Sequence, residues 1–156
     1  MTCAFTGHRQ ILPEHQALLN ELIAVSIAHA YDLGCRKFIT GGALGFDTAV
    51  AREIIHFRIS HPDVVFSVYV PFIGQESGWS SSQRDAYNYI ISNANEVKYI
   101  SENYSNDCMK KRNKAMAEDC DMMIAYVYKP RSGSSQTLRM AEEMGREIRN
   151  LCNEIY

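Results

Sequence analysis

Short apolar runs alternate with amphipathic stretches along the whole chain. Runs rich in aliphatic and aromatic residues occur at 2–5, 37–40, 64–70, 96–100 and 122–127. Each has the length of a strand and is followed by a loop. Between them apolar residues recur at three- and four-residue spacing: Leu18, Leu19, Leu22, Ile23 and Ile27 within 14–31, and Val50, Ala51, Ile54 and Ile55 within 48–60. Segments 81–93, 107–119 and 135–145 complete the helical set. Residues 148–151 offer a further edge strand, with Gly145 ending the helix before it. This alternation predicts an α/β fold: a three-layer, Rossmann-like, doubly wound sheet of five to six mainly parallel strands, helices on both faces and right-handed crossovers. With no internal repeat or linker, residues 1–156 are expected to form one domain.

The densest local signal is Thr40-Gly41-Gly42-Ala43-Leu44-Gly45-Phe46-Asp47-Thr48, directly after the apolar Phe38-Ile39. It reads as a strand entering a helix through a phosphate-sized turn. Glycines let a ligand approach peptide N–H groups, and the helix that follows presents free donors and its positive dipole end. Asp47 or Thr48 is expected to cap that helix, and Asp47 could instead reach a ribose hydroxyl. The spacing is neither the dinucleotide fingerprint nor a P-loop.

In doubly wound sheets ligands lie beyond the carboxyl ends of the strands, near the switch in strand order. That edge collects Gly7, His8 and Arg9 after the first strand, Gly41, Gly42 and Gly45 after the second, and Tyr104 after the fourth. After the fifth come Ser132, Gly133, Ser134 and Ser135, hydroxyls and N–H donors at a helix start and so a second phosphate cradle. Trp79, the single tryptophan, stacks on a base or anchors its own loop; Arg84 and Tyr87 either complete that wall or lie on the surface.

Composition narrows the function. At 46% hydrophobic and 22% charged the chain is ordinary globular material, which excludes a disordered or fibrous protein. A net charge of −2 with a pI near 6.2 argues against a nucleic-acid binder that relies on bulk positive field. Five cysteines without a Cys-x-x-Cys pair fit a reducing, cytoplasmic setting and buried small side chains. No apolar run approaches bilayer-spanning length, so no membrane association is expected. No metal-ligand spacing is present, and no cofactor is expected.

Taken together, Thr6-Gly7-His8-Arg9, the Gly41 turn through Asp47, Tyr104 with Cys108-Met109 and Arg112-Asn113, and Ser132-Gly133-Ser134 with Thr137, Ala141 and Gly145 resemble the SLOG superfamily, the DprA and LOG group. The likeness is greatest to its YpsA-like branch. The resemblance implies a Rossmann-like domain with a pocket for a nucleotide or nucleotide-derived ligand, in which Arg112 and Asn113 lie near that ligand. Where LOG-type phosphoribohydrolases carry the glutamate of Pro-Gly-Gly-x-Gly-Thr-x-x-Glu, this chain has Met140, and a thioether cannot serve as acid or base. A sensory or regulatory binding module is therefore expected ahead of an N-glycosidic or phosphate-bond hydrolase using His8, Asp47 or Glu142. A single-stranded DNA binder in the manner of DprA is the third reading. Pairing into a homo-oligomer through helices is compatible with such a domain.

Overall fold

The computed structural model describes residues 1–155. Six parallel strands, β1 (Thr2–Gly7), β2 (Lys37–Thr40), β3 (Val65–Phe72), β4 (Glu96–Ser101), β5 (Met122–Tyr126) and β6 (Glu147–Asn150), form one sheet in the order β4-β3-β2-β1-β5-β6. Five helices connect them: α1 (Gln16–Asp32), α2 (Phe46–Ser60), α3 (Ser81–Asn93), α4 (Cys108–Asp119) and α5 (Gly133–Glu143). A 3-10 turn (Pro13–His15) precedes α1, and a last turn of helix spans Cys152–Ile155.

Consecutive residues of the inner strands face opposite layers. Phe5, Phe38 and Phe66 bury against α1, α2 and α3 with Leu19, Ile23 and Ile54, while Ala4, Ile39 and Tyr69 pack with Met116 of α4 and Ala141 of α5. Strands covered on both sides become the near-continuous apolar runs that mark them in the sequence. All five cysteines are buried and unpaired, as small core side chains are. Among the described residues no helix is long and apolar enough to cross a membrane.

The chain runs outward from β1 to β4, then crosses back to place β5 on the other side of β1. The reversal lies between β1 and β5, and their carboxyl ends open a crevice there. The loops after β1 and β2 are locked together at its rim. Phe46 opens α2, its N–H donates to His8 O at 3.1 Å, and its ring lies over Gly7, where a Cβ would come within 2.4 Å. Gly45, with φ of 76°, presses on Arg9 so closely that a Cβ would stand 2.0 Å from the Arg9 carbonyl oxygen.

Gly45→Ala therefore combines a left-handed backbone with a backbone clash, and we expect a loss of about 3 kcal/mol and roughly 6–12 °C in Tm. Gly74→Ala, at φ of 88° with nothing within 4 Å, should cost only about 1 kcal/mol by thermal unfolding. Equal losses at the two sites would contradict this packing.

Candidate ligand-binding site

A cavity of about 270 Å³ occupies the crevice between β1 and β5. Its walls come from the end of β1 through Arg9, the turn after β2, one face of α4 and the first residues of α5.

Asp47 lies at its floor, 6% exposed. The expected capping role is not what it performs: the N-cap of α2 is Gly45, without a side-chain cap, and Asp47 sits inside the first turn. Its carboxylate turns back onto the glycine turn, where Oδ2 accepts the Ala43 N–H at 3.1 Å and the Gly41 N–H adds support. Thr48 likewise does not cap but donates its hydroxyl to Ala43 O at 3.0 Å. The turn that looked open to a ligand phosphate is thus filled by the protein's own anion. Gly41 is required for this, because a Cβ would come within 2.8 Å of both Asp47 Oδ2 and Arg112 Nη1.

Arg112, 7% exposed, reaches the same place from α4. Its Nη1 donates to Gly41 O and, at 3.4 Å, to Tyr69 O, while Nε donates to Asn113 Oδ1 at 2.8 Å. Nη1 and Nε are thus committed to the protein, which fixes the guanidinium as a charge on the cavity wall. Burial raises the Asp47 pKa, and the positive charge of Arg112, the Ala43 N–H and Arg9 pull it back. Burial lowers Arg112, with Asp47 opposing that. After the bonds to Ala43 and Gly41, Asp47 Oδ1 remains buried without a hydrogen-bond partner among the described residues.

The opposite wall is the start of α5. Ser132 caps the helix, its Oγ accepting the Ser135 N–H at 3.1 Å while Ser135 Oγ accepts the Ser132 N–H at 3.0 Å. The N–H groups of Gly133 and Ser134 have no intrahelical acceptor, and both residues line the cavity. Arg9, exposed at the rim, makes no ion pair among the described residues. His8 also lines the cavity, but its Nε2 accepts the N–H groups of Tyr128 at 2.9 Å and Lys129 at 3.1 Å. That lone pair is unavailable as a base.

Gly7, His8, Arg9, Gly41, Asp47, Arg112, Asn113, Ser132, Gly133 and Ser134 thus share one cavity. Gly42, Gly45, Trp79 and Tyr104 do not. Gly42 faces β3 and α3, its carbonyl taking Gln75 Nε2 at 3.0 Å, and Gly45 is consumed in the packing on Arg9. Trp79 stands edge-on to the buried Tyr87, ring centroids 5.4 Å apart, and Arg84 bonds its carbonyl, so it anchors its loop. Tyr104 is 64% exposed and touches Phe72. Met140 and Glu143 line a separate surface groove, and Glu142 a shallow one beside it. Asp47 is the one carboxylate on the cavity wall among the described residues. Met109 and Met116 line it too; their spacing of three and four residues from Arg112 puts all three on one face of α4.

The profile of the YspA SLOG family matches residues 6–150. The chain belongs to this family. Among curated relatives, a UPF0398 protein of Bacillus anthracis (strain A0248) is 29% identical over 119 residues, covering 75% of this chain and 65% of the relative. A UPF0398 protein of Bacillus thuringiensis (strain Al Hakam) matches with the same identity and coverage. The match therefore spans just under two thirds of those relatives' length. DNA processing protein A (DprA) from Streptococcus pneumoniae superposes with a TM-score of 0.64 at 19% identity, over 94% of this chain and 48% of that one. DprA from Helicobacter pylori, whose structure concerns a single-stranded DNA binding mode, gives 0.66 at 17% identity over 99% and 71%. Identities this low show a shared fold and nothing finer.

Arg112→Met should destabilise the protein by about 3–5 kcal/mol at neutral pH, because it strands a buried carboxylate. An acid whose folded pKa is raised stabilises least when ionised, so the loss should shrink as pH falls toward the ordinary Asp value near 3.8. Urea unfolding at pH 7 and pH 5 checks this; a loss independent of pH would contradict the electrostatic coupling of Arg112 to Asp47.

Proposed function

We propose that this chain binds a nucleotide or nucleotide-derived ligand at the carboxyl edge of its sheet, as a sensory or regulatory module. The supporting observation is Asp47, which lines the cavity and whose buried Oδ1 has no hydrogen-bond partner among the described residues. Leaving such a group unsatisfied costs about 1–3 kcal/mol or more for a charge, so the site favours an occupant that donates an O–H or N–H there. Across the cavity the Gly133 and Ser134 N–H groups, and at the rim Arg9 without an ion pair among the described residues, favour an anion. A molecule with hydroxyls at one end and phosphate at the other meets both demands. The 270 Å³ available is near the lower bound of about 300 Å³ for small-molecule sites, which suits a mononucleotide-sized group.

The same Asp47 supports a second reading, hydrolysis of an N-glycosidic bond, since a carboxylate with a raised pKa in a cavity is a candidate acid or base. The place of the LOG glutamate is Met140, outside the cavity, and this favours binding over turnover. DNA binding, known of the Helicobacter pylori neighbour by its description, would use the same edge as an open track and show a steep salt dependence.

Thermal unfolding against nucleotides, NAD, ADP-ribose and cyclic dinucleotides tests the proposal. A ligand at 100-fold its Kd should add about 2.7 kcal/mol, or roughly 5–10 °C for a chain of this size. Ribonucleotides should outperform 2′-deoxy forms, and Asp47→Asn should weaken the best ligand about tenfold or more, in line with 1.5–3 kcal/mol for a bond to a charged acceptor. Release of free base would move the conclusion to an enzyme. No shift with any nucleotide, together with salt-sensitive binding of single-stranded DNA, would overturn it.

A further inference from the structure

His8 makes more connections than its place on the wall requires. Its N–H donates to Tyr126 O at 3.3 Å at the end of β5, and its carbonyl accepts the first N–H of α2. Its ring then reaches the loop between β5 and α5, where Nε2 accepts from Tyr128 and Lys129. A ring nitrogen that accepts two N–H bonds carries no proton, so the imidazole is neutral with its hydrogen on Nδ1.

The clasped loop is wired into the cap of α5. Ser132 Oγ donates to Lys129 O at 3.4 Å, Ser135 Oγ to Pro130 O at 3.1 Å, and Arg139 Nη1 to the same carbonyl at 3.3 Å. Whatever holds Tyr128 and Lys129 therefore also sets where Ser132, Gly133 and Ser134 stand. We propose that His8 is the positioning residue of the anion-binding turn at the start of α5, and that it holds this turn only while its imidazole is neutral. The inference rests on reading that turn as part of the ligand site, but the clasp itself can be tested without a ligand.

Burial lowers the His8 pKa from its ordinary 6.5, and Lys129 lowers it further. The ring packs edge-on against Tyr128 at 4.3 Å and Tyr126 at 6.0 Å, and His15, from the turn before α1, stands against the same two tyrosines. Arg9 is the next residue, and Asp47 and Arg112 line the cavity with it. Protonation would turn Nε2 into a donor facing two donors, and both loop bonds would be lost. A histidine with a depressed folded pKa contributes stability above its unfolded value, and loses it as pH falls through the folded one. The turn is held at neutral pH and released in acid.

The experiment is an NMR titration of the ligand-free protein from pH 7.5 to pH 5, for wild type, His8→Gln and His8→Ala. A glutamine Oε1 can accept near the Nε2 position without titrating. In wild type, the Tyr128, Lys129, Gly133 and Ser134 amides should move together in one step below pH 6.5, with the His8 ring hydrogen on Nδ1 at pH 7.5. They should stay fixed in His8→Gln, while His8→Ala at pH 7.5 should resemble the acid form. Binding of sulfate, whose charge is constant across this range, should weaken severalfold on acidification in wild type only. A ring hydrogen on Nε2 at neutral pH, or the same amide titration in His8→Gln, would overturn the proposal. Because the amide shifts need no nucleotide, failure of the clasp is distinguishable from failure of the nucleotide reading.

Discussion

The site depends on one close approach, the seating of the first turn of α2 on the end of β1. Gly45 rests on the Arg9 carbonyl, the Phe46 ring covers Gly7, and the Phe46 N–H bonds His8 O. No side chain larger than hydrogen fits at either glycine, so the β1 and β2 loops act as one rigid rim. That rim aims Asp47 inward and leaves His8 in reach of the loop after β5. The fold could form a parallel sheet in several ways, but only this contact turns two separate loops into a cavity wall.

Charge is distributed inside that wall with little freedom. Asp47 fills the N–H groups of its own turn, and Arg112 is pinned to carbonyl oxygens of the β2 and β3 ends. Taking both charges out of water costs several kcal/mol per ion, recovered only in part by their attraction. A core built for stability alone would have replaced the pair with apolar residues. Two buried charges beside a carboxylate oxygen without a partner among the described residues fit the proposed site, in which a ligand would complete the bonding.

The order and type of the elements were legible in the sequence because buried parallel strands write themselves as apolar runs and surface helices as three- and four-residue periods. The boundaries moved where loop chemistry governs. α2 begins at Phe46, two residues before the expected start, because Gly45 takes the positive φ that opens it. α5 likewise begins at Gly133 rather than Ser135, fixed by the Ser132–Ser135 capping box. The expected edge strand is present as β6, one residue earlier than 148–151, and Gly145 follows the end of α5 with a positive φ. For the site, the glycines and cations at strand ends pointed to the edge where the cavity lies, since topology alone directs them there. What each does was not legible. Asp47 and Arg112 are 65 positions apart and meet at the Gly41 turn only in the fold, so neither the filled glycine turn nor the immobilised guanidinium has a local signature. Trp79 drew attention by chemistry, yet its loop folds onto Tyr87 and away from the cavity.

The central claim is that the cavity between β1 and β5 is completed by a ligand bonded to Asp47 Oδ1 at one end and to the start of α5 at the other. The direct measurement is a crystal structure of the protein soaked with adenosine monophosphate and with ADP-ribose. The expected result is a hydroxyl within hydrogen-bond distance of Asp47 Oδ1, and phosphate oxygens on the Gly133 and Ser134 N–H groups. An occupied site elsewhere on the surface, or a cavity that stays empty while Asp47 Oδ1 finds a protein partner, would contradict it.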